Sequence, residues 1–289
     1  MTGDPTKPPR VVLASLPEKY VLPGKPSAGT AAALDAYRQA NFLLGDELAL
    51  FERAMNEVLS LIASAKPKGT RGAAMLSVGG RTFSHLGDAC ALMAYGSYAS
   101  CLPLLRMALE CTAIQRALVT DDFGPYEEWF ETAVSQDGAA IRIDLGHSKA
   151  ASVLVADERL GELYRLLMDL SMPHFGSALL FAAPETSLQK TPLAFADSSF
   201  HIGFAQVISG WLLILAGEQL TSWVETGTTP GREATLRGIA EILSDQRRCY
   251  VERQDERWVF YNFRRAASGQ PKRVILGQTP RPLPEHRIP

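Results

Sequence analysis

The stretch from Ser97 to Thr120, SYASCLPLLRMALECTAIQRALVT, most constrains what this chain can fold into. Most of its positions are Ala, Leu, Ile, Val, Met or Cys, and a helix apolar nearly all round belongs inside a bundle of other helices. Two of its three charges, Arg106 and Glu110, stand one turn apart. On a helical wheel of about 100° per residue they lie roughly 150° from the arc of Thr112, Gln115 and Arg116. The wheel therefore predicts that the pair faces inward. There an isolated charge would cost several kcal/mol, and the i, i+4 spacing lets the two satisfy each other.

Around this helix the chain reads as all-α, a single multi-helix bundle with extended arms. Residues 1–29 are rich in Pro, Gly and Lys and form an extended arm. Residues 30–268 form the bundle, and 269–289 a Pro-rich C-terminal arm. From Thr30 to Ala65 the positions Leu34, Tyr37, Leu44, Leu48, Phe51, Met55, Val58 and Ile62 follow a heptad spacing with Asn41 as its one polar member. One long helix is expected there, its seam laid along the bundle or shared with a second copy. A second helix, Gly72 to Tyr95, carries Gly79, Gly80 and Gly87, which permit close approach by a neighbour. Two or three acidic helices follow from Tyr126 to Asp169, and Ser171-Met172-Pro173-His174 ends the last. An apolar helix spans Phe200 to Glu225. Another, with Thr229 as N-cap and Pro230 in its first turn, spans Gly231 to Glu256. The runs Arg10–Leu13 and Lys272–Leu276 favour strand. They are expected to pair as a small ribbon or to lie in grooves on the bundle.

With 46% hydrophobic residues in 289, the chain can bury a substantial core. Its net charge of −2 hides an asymmetry, since residues 121–170 carry 11 acidic against 4 basic residues and residues 232–289 carry 12 basic against 7 acidic. Such polarity suggests an oriented partner surface. Cys90, Cys101, Cys111 and Cys249 form no CxxC pair, so reduced thiols in a cytoplasm are expected. No apolar leader opens the chain, and the apolar run from Ile202 to Gly217 is too short to span a bilayer, so no membrane is expected. The phosphate loop GxxxxGK[ST], GxGxxG, GxSxG, HExxH and paired ExxH ligands are all missing, and no cofactor or metal is indicated.

What remains is a constellation of Arg106, Glu110, Tyr164, Ser171 and His174. The segments LLRMALE (Leu104 to Glu110) and LYRLLMDLSMPH (Leu163 to His174) resemble an uncharacterised bacterial all-helical family. That family is a domain of unknown function with an LLRxxxE helix and a downstream Tyr/Ser/His segment. The resemblance implies an all-helical fold and brings no reaction with it. From chemistry, Arg106 is the candidate anion holder, with Glu110, Tyr164 and Ser171 as ligand-binding neighbours and His174 as candidate acid or base. A distant likeness to HEPN ribonucleases, whose motif sets Arg and His four to six residues apart on a helix, adds Arg142 and His147 as alternative catalytic residues. The segment RWVFYNFRR offers Arg257, Trp258, Tyr261, Arg264 and Arg265 as a candidate nucleic-acid surface, since it interleaves cations with stacking rings.

The sequence thus leads to a non-enzymatic or regulatory helical module, of bacterial defence or stress type, with a polar pocket beside its central helix. The alternative is a metal-independent HEPN-type ribonuclease or toxin acting as a dimer. Expected partners are a second copy of the chain, a protein engaged through the arms, and RNA.

Overall fold

Helical periodicity dominates the pattern, and helices carry the core. The computed structural model describes residues 13, 15–65, 69–119, 134–137, 140–143, 154, 156–173, 175–182, 193–225, 232–246, 249–254, 257–262 and 272–275. The helices are α1 (Ala31–Leu43), α2 (Gly45–Ala65), α3 (Gly69–Ala94), α4 (Tyr98–Val119), α5 (Glu158–Ser171), α6 (Phe175–Ala182), α7 (Ile202–Glu225) and α8 (Arg232–Gln246). The class is all-α. Short antiparallel strands complete the described backbone: β1 (Val134–Asp137) with β2 (Ala140–Ile143), and the sheet β3 (Cys249–Gln254), β4 (Arg257–Asn262) and β5 (Lys272–Ile275).

The apolar stretch from Phe200 to Glu225 proves more central than that from Ser97 to Thr120. Helix α7 is buried on almost every side and packs against α2, α3, α4 and α8, while α4 packs against α3, α5 and α7. It is long and apolar enough to cross a membrane, and 89% of its most apolar window is buried inside the chain. The seam residues Leu48, Phe51, Met55, Val58 and Ile62 of α2 belong to this same core.

Close helix contacts rest on two glycines. A Cβ at Gly79 would stand 2.8 Å from Gln115 Nε2 and 2.9 Å from the Trp223 ring, so α3, α4 and α7 meet there as closely as backbone allows. Gly96 ends α3 in the left-handed region at φ 75°, and Ser97 N–H reaches back to the Leu92 carbonyl at 2.8 Å. A Cβ at Gly96 would stand 2.3 Å from the Ser198 carbonyl oxygen.

Several expectations are corrected. The long helix from Thr30 breaks at Leu44 and Gly45 into α1 and α2. The heptad register does not survive the break: Asn41 is exposed and bonds the Tyr37 carbonyl at 2.8 Å, while Ala36 and Ala40 are the buried face of α1. The acidic region holds strands β1 and β2 before α5 begins. Asp137-Gly138 is a hairpin signal in the sequence, and Asp137 pairs with Ala140. The last helix stops at Gln246 instead of Glu256. Cys249–Gln254 then pairs with Arg257–Asn262, setting Tyr250 opposite Tyr261 and Val251 opposite Phe260, residue types that favour a sheet. Lys272–Ile275 is a strand, as expected, and pairs with β4. Arg10–Leu13, the run expected to join it in a ribbon, lies outside the described residues except for Leu13.

The Gly96 turn gives a test. Gly96→Ala adds a left-handed strain and a backbone collision, so urea unfolding should show a loss of roughly 3 kcal/mol or more. Stability within about 0.5 kcal/mol of wild type would contradict this turn.

Candidate functional site

Helix α5 brings the sequence-predicted residues together. Asp157 caps it, its Oδ1 accepting the Leu160 N–H at 2.9 Å, and Leu160, Leu163, Leu166 and Leu167 turn its apolar face inward. Contact with α4 follows from that face. Tyr164, Met168 and Ser171 stand at i, i+4 and i+7 and so share one stripe. That stripe lies along the edge of α4 that carries Arg106 and Glu110.

The geometry reverses the expected orientation of the ion pair. Arg106 and Glu110 sit at a rim, with side chains 26% and 35% exposed, and Thr112 and Gln115 are the fully buried polar residues of α4. Thr112 Oγ1 donates to the Ala108 carbonyl at 2.8 Å, and Gln115 Oε1 accepts from Thr82 Oγ1 at 3.2 Å. Those hydrogen bonds let uncharged polar groups enter the core at lower cost than two charges. A helix apolar nearly all round gives the wheel little to orient by.

Arg106 is held loosely. Its Nη1 lies 3.4 Å from Ser171 Oγ and 3.6 Å from the Sδ atoms of both Met168 and Met172. Its Nε faces Glu110 Oε1 at 3.7 Å, an ion-pair distance too long for a hydrogen bond, and this buried Nε has no hydrogen-bond partner. Thioether sulfur is a weak acceptor. The guanidinium is therefore half removed from water, with one weak carboxylate contact and otherwise neutral partners. Glu110 also acts on Tyr164 of α5. Tyr164 acidity is weakened first by burial and then by the Glu110 charge, against an opposing pull from Arg106.

Of the remaining predicted residues, His174, His147, Arg264 and Arg265 lie outside the described residues. Arg142 stands on β2 opposite Ser135, where a helix was expected. Arg257, Trp258 and Tyr261 stand on β4, opposite Gln254, Arg253 and Tyr250. Among the described residues no group of three or more His, Cys, Asp or Glu side chains could hold a metal ion.

Sequence reasoning missed two polar clusters. In the first, Glu218 of α7, its side chain only 11% exposed, receives Arg159 and lies 3.7 Å from Arg116, which also reaches Asp157 at 2.5 Å. The available signal was one carboxylate inside a long apolar helix, which must find a cation. In the second, Asp197 Oδ2 meets His201 Nε2 at 2.8 Å, Asp197 Oδ1 accepts the Ser199 N–H, and the His201 N–H donates to the Tyr98 hydroxyl at 3.1 Å. Burial pushes Tyr98 up to about 12. Its signal was an Asp four residues before a His at the start of an apolar run.

Comparisons with protein-family models, with curated proteins and with solved structures find no match for this chain.

Asp157 supplies a pH test. Burial alone would raise its pKa, but the Leu160 N–H and the Arg116 guanidinium together hold it below the usual aspartate range. The folded carboxylate thus keeps its charge to lower pH than the unfolded one. Its contribution is complete above the unfolded value of about 4 and is lost as pH falls through the folded value. Asp157→Asn preserves the cap and removes the charge. Urea unfolding should show a deficit on the order of 1 kcal/mol at pH 7 that shrinks below about pH 4. A deficit independent of pH would contradict the role given to this charge.

Proposed function

We propose that this chain is a non-enzymatic, regulatory helical module of bacterial defence or stress type, working in the cytoplasm as a homo-oligomer. Its polar site at the α4–α5 seam senses a small anion. It comprises a single bundle with extended arms, and Arg106 is the anion-binding group. The observation that supports this reading most is the half-buried Arg106 guanidinium, whose Nη1 neighbours are one hydroxyl and two thioethers. A phosphate or carboxylate oxygen would replace these weak acceptors with charge-assisted, bidentate hydrogen bonds. Ser171 adds a hydroxyl donor, and Glu110, at 3.7 Å from the Arg106 Nε, is too far to hold it by a hydrogen bond. We do not adopt the ribonuclease reading, because its Arg142 lies on a strand and its motif calls for a helix.

Thermal unfolding with inorganic phosphate, pyrophosphate, citrate and AMP tests the proposal. At least one should raise Tm in a saturable way, since a ligand at 100 times its Kd adds about 2.7 kcal/mol. Arg106→Gln should abolish the rise while costing at most about 1 kcal/mol itself, as befits a pair at a rim. Labelled RNA should stay intact in EDTA. A protein that none of the four anions stabilises, or one whose response survives Arg106→Gln, would refute the anion site.

A further inference from the structure

The N-terminal arm from residue 15 lies against α2 and α3 as a bound peptide would. Asn56 of α2 reads both backbone groups of one arm residue: its Oδ1 accepts the Tyr20 N–H at 2.8 Å, and its Nδ2 donates to the Tyr20 carbonyl at 3.1 Å. The same Nδ2 also bonds the Glu52 carbonyl at 2.9 Å, which fixes the amide's orientation. One turn earlier, Glu52 Oε1 accepts the Leu22 N–H at 3.4 Å. A helix surface therefore offers to the arm what a neighbouring strand would, and main-chain hydrogen bonds of this kind bind extended peptides generally.

Side-chain recognition is concentrated at Tyr20. Its ring meets Phe51 and Phe83 edge-on, at centroid distances of 5.6 and 5.9 Å. Space for the ring comes from Gly87 of α3, where a Cβ would stand 3.3 Å from Tyr20 Cε2. The hydroxyl lies beside the buried Cys90 thiol, and burial raises the pKa of both. Leu22 packs on the same core. Past these contacts, Tyr95 holds the Gly24 carbonyl at 2.8 Å, and the chain returns to α1 through Gly24 to Gly29, GKPSAG.

We propose that this groove is the self-association site of the protein, and that the arm of a second copy occupies it through the same contacts. The bonds that hold the arm all run between arm and groove, so exchange between copies leaves them unchanged and alters only the course of the Gly-rich connection. A short tether gives the arm an effective concentration in the millimolar range. The chain's own arm therefore fills the groove at dilution, and exchange gains as protein concentration rises or as the intramolecular pairing is disabled. This deepens the homo-oligomeric part of the function proposed above and is independent of the Arg106 site.

Complementation tests it in the full chain. Tyr20→Ala disables the arm and leaves the groove; Gly87→Leu fills the space of the Tyr20 ring and leaves the arm. Each variant alone should be monomeric by light scattering. An equimolar mixture should form a heterodimer in native mass spectrometry, the arm of the Gly87→Leu chain entering the groove of the Tyr20→Ala chain. A mixture of folded variants that stays monomeric at high concentration would overturn the inference. Dimers formed equally well by either variant alone would also overturn it, while leaving homo-oligomerisation itself standing. Should either variant fail to fold, wild-type protein labelled with light and heavy nitrogen can be mixed, concentrated and crosslinked from Lys19 or Lys25 to carboxylates of α2 and α3. Mixed-isotope crosslinks support exchange, and single-isotope crosslinks alone exclude it.

Discussion

Burying one carboxylate on the most apolar helix is the constraint on which the rest of this structure depends. Glu218 sits on α7, which is enclosed by α2, α3, α4 and α8, and an unpaired charge there would undo much of what that burial contributes. Arg116 of α4 and Arg159 of α5 both come to it, and Arg116 also holds Asp157, the cap of α5. One network therefore fixes three helices. It sets the position of α5 along α4, and so brings Tyr164 and Ser171 to Glu110 and Arg106. The charge cluster that neutralises Glu218 at the edge of the core and the weakly held cation Arg106 are two ends of the same helix pair.

Much of the fold was legible because long apolar periodicities announce helices. The stops at Ser171-Met172-Pro173 and the close approach at Gly79 could be read directly, since proline and glycine act through local sterics. Orientation could not. Helix α4 is apolar on nearly every side, so the wheel put Arg106 and Glu110 inside, whereas Thr112 and Gln115 took the interior with hydrogen bonds from other helices. The strands β1 to β4 were hidden for a related reason: short segments gain their pairing energy from partners that a local pattern does not name. The break at Leu44 and Gly45 escaped notice because a heptad count is blind to a one-residue change of direction.

For the site, Arg106 and Glu110 share a face of α4 by their spacing, and in the structure Ser171 and Tyr164 of α5 stand beside them. The sequence did not show how weakly Arg106 is paired, because that depends on Met168 and Met172 arriving from α5. Nor did it disclose the arm. Pro-rich composition suggested only an extended segment, and the grip of Asn56 on Tyr20 arises between residues 36 positions apart.

The most direct test of the central claim, that Arg106 is an under-compensated cation built to receive an anion, is nitrogen-15 NMR of the arginine Nε–Hε groups during titration with the one of phosphate, pyrophosphate, citrate and AMP that raises Tm most. The Arg106 resonance, assigned by its loss in Arg106→Gln, should shift with a saturable profile while the Arg116 and Arg159 signals stay in place. An Arg106 signal that does not move, or that moves linearly along with every other arginine, would contradict the account.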